Sequence, residues 1–335
     1  MVIGNNPFTS NTFVKTWTKH FKVSVANDGF ETVQNLKFYK PYKYLPIYIN
    51  IGKHLTKGVS YFIKPFARAD YKKKLVLIYD VPQYFDIATK DLPEKLGFIK
   101  IKQYPGYSTQ LNNYKNFEDY IATNFSKKSK YKFKSYTKKL EALYDISYVN
   151  YDYTTSKTTF DAIFNRFYDL LKKRFEDKSE SNNNLNPEEW AFYQELVYLM
   201  MKNKQASLFA VLDKTKPIAI SLNYFSDHIL FFAMTGFDIH YKAHNLGTVH
   251  LMALFKWCFA NHIKIFDFSK GHYDYKARWG DTKYYFEQHI YYDSSSPWAS
   301  VTSRLMGAYF KIKQRLRDAP IRAYLNKIKF KLKRN

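Results

Sequence analysis

Between residues 207 and 292 the hydrophobic period switches from two residues to about three and a half and back again, and this restricts the fold more than any other feature. Three short segments, 207–213, 217–224 and 228–236, are rich in apolar, β-branched and aromatic residues. Lys214-Thr215-Lys216 and Ser226-Asp227 join them and are short enough for hairpins. A loop over 237–246 leads to a helical pattern over 247–262, a strand pattern over 263–268, and a last one over 284–292. Strand and helix alternate here, so part of the sheet is expected to be parallel. Ligands collect beyond the carboxyl ends of such strands. Gly247 opens the helix at that end, either as a plain structural turn or as a helix N-terminus whose N–H groups receive an anion.

The preceding part of the chain reads as strands and helices around further apolar faces. Phe13, Trp17 and Phe21 lie four residues apart on a short helix over 12–21. Strand patterns follow at 45–51, 59–66, 74–80 and 97–103, punctuated by Pro41, Pro46, Pro65, Pro82 and Pro105, which suit strand ends. Residues 117–143 read as one helix whose middle is crowded with lysines. Residues 160–176 carry an apolar stripe at helical spacing. A polar loop over 177–186 precedes Pro187, Glu188 and Glu189, which suit the first turn of a helix running to about 203.

With 46% apolar and 24% charged residues the chain is globular. Its longest clean apolar run, 229–237, is far short of the roughly 20 residues of a membrane helix. The single cysteine, Cys258, excludes a disulfide framework and a thiolate zinc site, and no metal site is expected. A polar start over residues 1–12 lacks the apolar middle of a signal peptide, so a cytoplasmic protein is expected. The 53 Lys+Arg against 29 Asp+Glu give a net charge of +24. That excess attracts polyanions (nucleic acid, anionic lipid or a phosphate-bearing cofactor), or it reflects a codon bias shared by Lys, Asn, Tyr, Phe and Ile. Residues 304–335 form a basic tail with apolar stripes at Leu305, Tyr309, Ile312 and Leu316 and, after Pro320, at Ile321, Leu325, Ile328 and Leu332. It suits either an anionic membrane surface, on the inner face of the membrane, or a helical cap. The P-loop, dinucleotide, zincin and hydrolase-elbow motifs are absent.

Asp267-Phe268-Ser269-Lys270-Gly271 ends the strand pattern at 263–268, and Tyr275, Lys276 and Trp279 follow. This "DF-x-x-G…YK…W" stretch resembles that of the GNAT acyltransferase superfamily, in its CelD-like and FemAB-like branch. Gly247 matches the glycine that starts that family's cofactor helix, Arg174 an arginine late in a preceding helix, and the basic segment 117–143 the one joining two halves. Asn6-Pro7-Phe8 with Trp17 is similar to the family's N-terminal opening. His244 and Val249 depart from the usual cofactor loop, and Val249 is expected to crowd a pyrophosphate there, which counts against acyl-CoA binding.

The resemblance implies an α/β (α+β) fold of tandem GNAT-like domains, with mixed central sheets flanked by helices. A degenerate domain is expected over 1–146, with its basic connecting helix at 117–143. A catalytic domain is expected over 147–296, and a basic amphipathic helical tail over 297–335. It implies an N-acyltransferase taking acyl-CoA, acetyl-CoA foremost, to an amine or hydroxyl on an envelope sugar, lipid or metabolite. The alternatives are an aminoacyl-tRNA-dependent transferase and a non-catalytic module associated with membrane or nucleic acid. Thr235, Gly236, Asn245, Gly247 and Thr248 would bind the cofactor, and Arg174, Asp238, Tyr275 and Trp279 the substrate. Asp267 would act as base or orient the acceptor, and Lys276 would neutralise a phosphate or carboxylate. Read without the family, Asp267 is equally a turn cap, Lys276 a solvated lysine, and Tyr275 and Trp279 local core.

Overall fold

The computed structural model describes residues 3–26, 30–64, 69–88, 92–178 and 182–318. The second stripe of the tail, at 321–332, lies outside them. The chain forms two compact units. Of the described residues, unit 1 comprises those within 3–107, 269–273 and 283–318, and unit 2 those within 108–268 and 274–282.

Unit 1 begins with α1 (Asn11–His20), whose start is capped by the Ser10 hydroxyl accepting from the Phe13 N–H. Its strands are β1 (Val33–Gln34), β2 (Phe38–Tyr39), β3 (Ile47–Asn50), β4 (Phe62–Ile63), β5 (Leu75–Pro82) and most of β6 (Leu96–Gln110). β1 pairs with β4 in a small antiparallel ribbon. Every residue of β5 is buried, the mark of a central strand covered on both faces. β6 runs straight through Pro105, where a strand end was expected. Proline removes only a donor, and its carbonyl still accepts from the Gly271 N–H at 2.8 Å.

Unit 2 holds α2 (Phe117–Asn124), α3 (Lys127–Leu143), β7 (Ile146–Tyr151), α4 (Lys157–Asp177), α5 (Pro187–Lys202), β8 (Ala206–Asp213), β9 (Lys216–Ser226), β10 (Ile229–Phe237), α6 (Leu246–Ala260), most of β11 (Ile265–Lys270) and α7 (Asp274–Trp279). The strand order is β11-β10-β9-β8-β7. β10 runs parallel to β11, as the alternation of elements requires, the two hairpins make β8, β9 and β10 successively antiparallel, and β7, joined to β8 through α4 and α5, pairs with it antiparallel. The chain then returns to unit 1 as β12 (Thr282–Asp293) and α8 (Pro297–Asp318), giving that unit the order β2-β3-β5-β12-β6. These are mixed sheets flanked by helices.

The expected single helix over 117–143 is two. Phe125 is extended (φ −127°, ψ 142°), and the Ser126 hydroxyl caps a new helix by accepting from the Ser129 N–H. Burial drives the break, because Phe125 turns inward against Phe133 and Trp279.

Gly236 fixes how closely α4 approaches the sheet. A Cβ there would stand 3.0 Å from Leu170 Cβ and 3.1 Å from the Leu171 backbone nitrogen. Phe237, the next residue, turns its ring to Gly247 of α6. Successive strand residues point to opposite faces, so α4 and α6 cover the two sides of β10. A valine at Gly236 is expected to push α4 outward and destabilise the protein by about 1–3 kcal/mol. Thermal unfolding of that variant beside wild type measures this, and an unchanged midpoint would show that α4 has slack.

Candidate functional site

The parallel ladder between β10 and β11 is short. Ile229, Leu230 and Phe231 pair with Ile265, Phe266 and Asp267, and the ladder goes no further although β10 continues to Phe237. The outer half of β10 pairs with β9, and the Asp238 N–H donates to the Ile218 carbonyl at 2.7 Å. In an antiparallel ladder each residue sends both backbone groups to the same side. Asp238 and Gly236 therefore face β9, while Thr235 and Phe237 send their amides and carbonyls to the edge where β11 would otherwise continue.

That edge is furnished by side chains from α4. Arg174 donates to the Thr235 carbonyl, and its guanidinium lies 4.5 Å from the centre of the Phe237 ring. Arg166, two turns earlier, donates to the Pro217 carbonyl at 3.0 Å and to the Asp238 carboxylate at 2.9 Å. Burial would raise the Asp238 pKa, but the His240 amide, Arg166 and Lys216 outweigh it and hold the carboxyl below its ordinary range. Asp238 thus clamps the strand end and starts the 3-10 turn over Ile239–His244. Arg166 was not singled out in the sequence. Its signal was an arginine eight residues before Arg174, on the same face of a helix whose other cations are lysines.

α6 starts on Asn245, which adopts a left-handed conformation (φ 53°, ψ 40°), and its side chain makes no capping bond to the helix. The first-turn N–H groups at Leu246 and Gly247 therefore carry no side-chain cap, whereas the Thr248 N–H donates to the Asn245 carbonyl at 2.8 Å, and Gly247 is exposed. Val249 is 1% exposed, so its side chain belongs to the core and leaves this end of the helix clear. Beside α6 runs α3, with Lys127, Lys128, Lys132, Lys134, Lys138 and Lys139 on its exposed surface.

The motif residues of β11 and α7 are placed unequally. Asp267 is 0% exposed and Lys276 is 5% exposed. Charged groups are so fully buried only where they are compensated, which excludes a solvated role for Lys276. Asp267 sits at the last pair of the parallel ladder, where the strands part. Trp279 is a core residue, ringed by Phe125, Phe133, Phe255 and Tyr120, and its carbonyl accepts from Thr109 and Tyr120. Tyr275 is half-buried with its ring near that of Phe268. Thr235, Gly236, Asn245, Gly247, Thr248, Arg174, Asp238, Asp267 and Lys276 all fall in unit 2. Among the described residues no cluster of three or more His, Cys, Asp or Glu is arranged to hold a metal ion.

Residues 127–277 match the family model of the acetyltransferase (GNAT) domain. This region belongs to the GNAT superfamily. The GNAT match takes in α3, the strand edge, the α6 N-terminus, Asp267 and Lys276, and makes the protein an acyltransferase. The fold agrees. The crystal structure of FemX aligns with a TM-score of 0.54 at 11% identity, over 86% of this chain and 92% of that one. The C-terminal domain assigned to a lysylphosphatidylglycerol synthetase of Agrobacterium fabrum aligns at 0.52 and 8% identity, over 88% and 90%. At such identities the likeness is one of fold. No curated protein sequence matches this chain.

Proposed function

We propose that this GNAT domain transfers an acyl group from acyl-CoA, acetyl-CoA foremost, to an amine or hydroxyl of an envelope sugar, lipid or metabolite. The observation that carries this reading is the early end of the β10–β11 ladder, which turns the backbone of Thr235 and Phe237 toward an edge without a paired strand. The donor group supplies an activated acyl carbon. The residues present fit such a donor: strand amides suit its carbonyl and amide-bearing arm, and the exposed first turn of α6 at Gly247, with the Thr248 hydroxyl beside it, suits its phosphates. Gly236 shapes the strand from its far side by admitting α4, and Asn245 sets the left-handed entry to the helix.

In this reading Asp267 orients the acceptor and takes its proton, and Lys276 balances charge beside it. Acyl transfer breaks the carbonyl–sulfur bond and forms a carbonyl–nitrogen or carbonyl–oxygen bond, and the departing thiolate takes up a proton. Arg174 and Asp238 hold the strand edge in shape, Tyr275 meets the acceptor from its place beside Phe268, and Trp279 supports α7 from the core.

Calorimetric titration with acetyl-CoA and longer acyl-CoAs tests the donor. Binding to at least one is expected, and no binding to any would remove this version. Once an acceptor is found, Asp267→Asn is expected to lower kcat about 100-fold or more while leaving donor binding within a few-fold. Equal losses in both would assign Asp267 to folding alone.

A second reading rests on the lysine-studded surface of α3 beside α6, which suits a larger polyanionic donor such as aminoacyl-tRNA. RNA affinity would then fall by roughly 0.7–0.9 log units per log of salt for each phosphate contact, and a flat salt response would end it. A cytosolic setting supplies both donors.

A further inference from the structure

α8 belongs to unit 1 and has two apolar faces, only one of which is covered. Ser303, Gly307 and Phe310 lie on the covered face. The Ile99 side chain stands 3.6 Å from where a Gly307 Cβ would be, and the Phe310 ring meets the Tyr79 ring edge-on at 5.9 Å. The opposite face carries Trp298, Val301, Leu305, Tyr309, Ile312 and Leu316, with exposures from 37% at Trp298 to 69% at Leu316. Their spacing of three and four residues lines them up along the whole helix. An apolar row of this length left in water on an otherwise strongly charged protein marks a binding surface.

The charges beside the row identify what it meets. At about 100° per residue, Arg304, Lys311 and Arg315 flank it on one side and Lys313 and Arg317 on the other. Arg317 is pinned in that position, stacked 4.0 Å over the Tyr104 ring and donating to Gln103 at 2.5 Å. Asp318, at the last position, is the only acid of the helix. An apolar ridge with cations on both shoulders and aromatic rings within it fits a surface that is apolar inside and negatively charged at its rim. The sequence after α8 repeats the composition, with Ile321, Leu325, Ile328 and Leu332 among basic residues and no acid. No helix among the described residues is long and apolar enough to cross a membrane.

We infer that α8 lies flat on an anionic lipid bilayer, with its exposed row among the acyl chains near the headgroups and its basic flanks on lipid phosphates. Substrate chemistry plays no part in this argument, so it stands or falls separately from the acyl-transfer reading.

Flotation of the full chain with phosphatidylcholine vesicles, with and without phosphatidylglycerol, tests it. Wild type is expected to float with the phosphatidylglycerol vesicles, to stay behind with neutral ones, and to detach as salt rises. The double variant Leu305→Glu/Ile312→Glu changes only exposed side chains and should melt like wild type. It is expected to bind about tenfold more weakly or worse. A chain ending at residue 318 should retain a share of binding that the same double substitution removes. Unchanged flotation of the double variant would overturn the inference. So would binding lost wholly on removing residues 319–335, or a wild type that does not float and forms a dimer abolished by the double substitution.

Discussion

Lys270→Met is expected to destabilise the protein by about 3–5 kcal/mol, while adding Asp80→Asn to it should restore most of the loss. Lys270 Nζ lies 2.6 Å from Asp80 Oδ2, with the two side chains 16% and 5% exposed, both in unit 1. Lys270 also donates to the His54 carbonyl at 3.1 Å, and Asp80 accepts from the Thr56 hydroxyl at 2.7 Å. Burial pulls the Lys270 pKa below its ordinary range against the upward pull of Asp80. Methionine fills the space of the lysine stem but leaves a buried carboxylate with one neutral donor, and the uncompensated charge is what destabilises. Asparagine removes that charge and tolerates the left-handed backbone of Asp80, whose φ is 64°. Urea denaturation of wild type, both single variants and the double variant measures the coupling. Additive effects would show that the two charges are solvated independently of one another.

His250 should make the protein sensitive to acid. Its side chain is 2% exposed on α6, neither ring nitrogen has a hydrogen-bond partner, and its ring meets that of Phe209 edge-on at 5.6 Å. Burial pulls the imidazole pKa down to about 3. The folded state therefore refuses a proton that the unfolded chain, with a pKa near 6.5, accepts. Below pH 6.5 the unfolded state binds more protons, so stability falls with pH until about pH 3. At pH 4.5 this one residue lowers stability by roughly 2–3 kcal/mol relative to pH 7. His250→Leu is expected to flatten that part of the acid limb and to add about 1–3 kcal/mol at neutral pH by removing unbonded polar atoms from the core. Unfolding free energies at several pH values for both proteins provide the check. Parallel curves would mean that the ring takes up its proton inside the fold.

Much of unit 2 was legible because its signals are local. The stripe of Phe160, Phe164, Phe167 and Leu171 repeats within single turns and gave α4, and the segments at 207–213, 217–224 and 228–236 gave β8, β9 and β10 within a few residues. α7 was missed because six residues are too few to show a period. β1 and β2, of two residues each, left no pattern either. The break before α3 was hidden because Phe125 continues the apolar spacing of α2 while its backbone leaves the helix.

The site was legible as a list of residue types and not as an arrangement. Asp267, Lys276 and Gly247 stand out in the sequence through their neighbours, and the fold brings them into the same unit. The clamp of Asp238 on Arg166 depends on where α4 crosses the end of β10, some 70 residues away along the chain. The partnership of Asp80 with Lys270, and the return of β12 to unit 1, depend on still longer closures. The sequence by itself determined most of the longer helices and strands and which motif the chain carries, because both are written in neighbouring residues. Only the tertiary structure decided that the parallel ladder stops at Phe231 and Asp267, that Val249 turns into the core, and that one apolar face of α8 stays in water. These follow from which surfaces remain after all the others have packed, a property of the whole chain that no local pattern encodes.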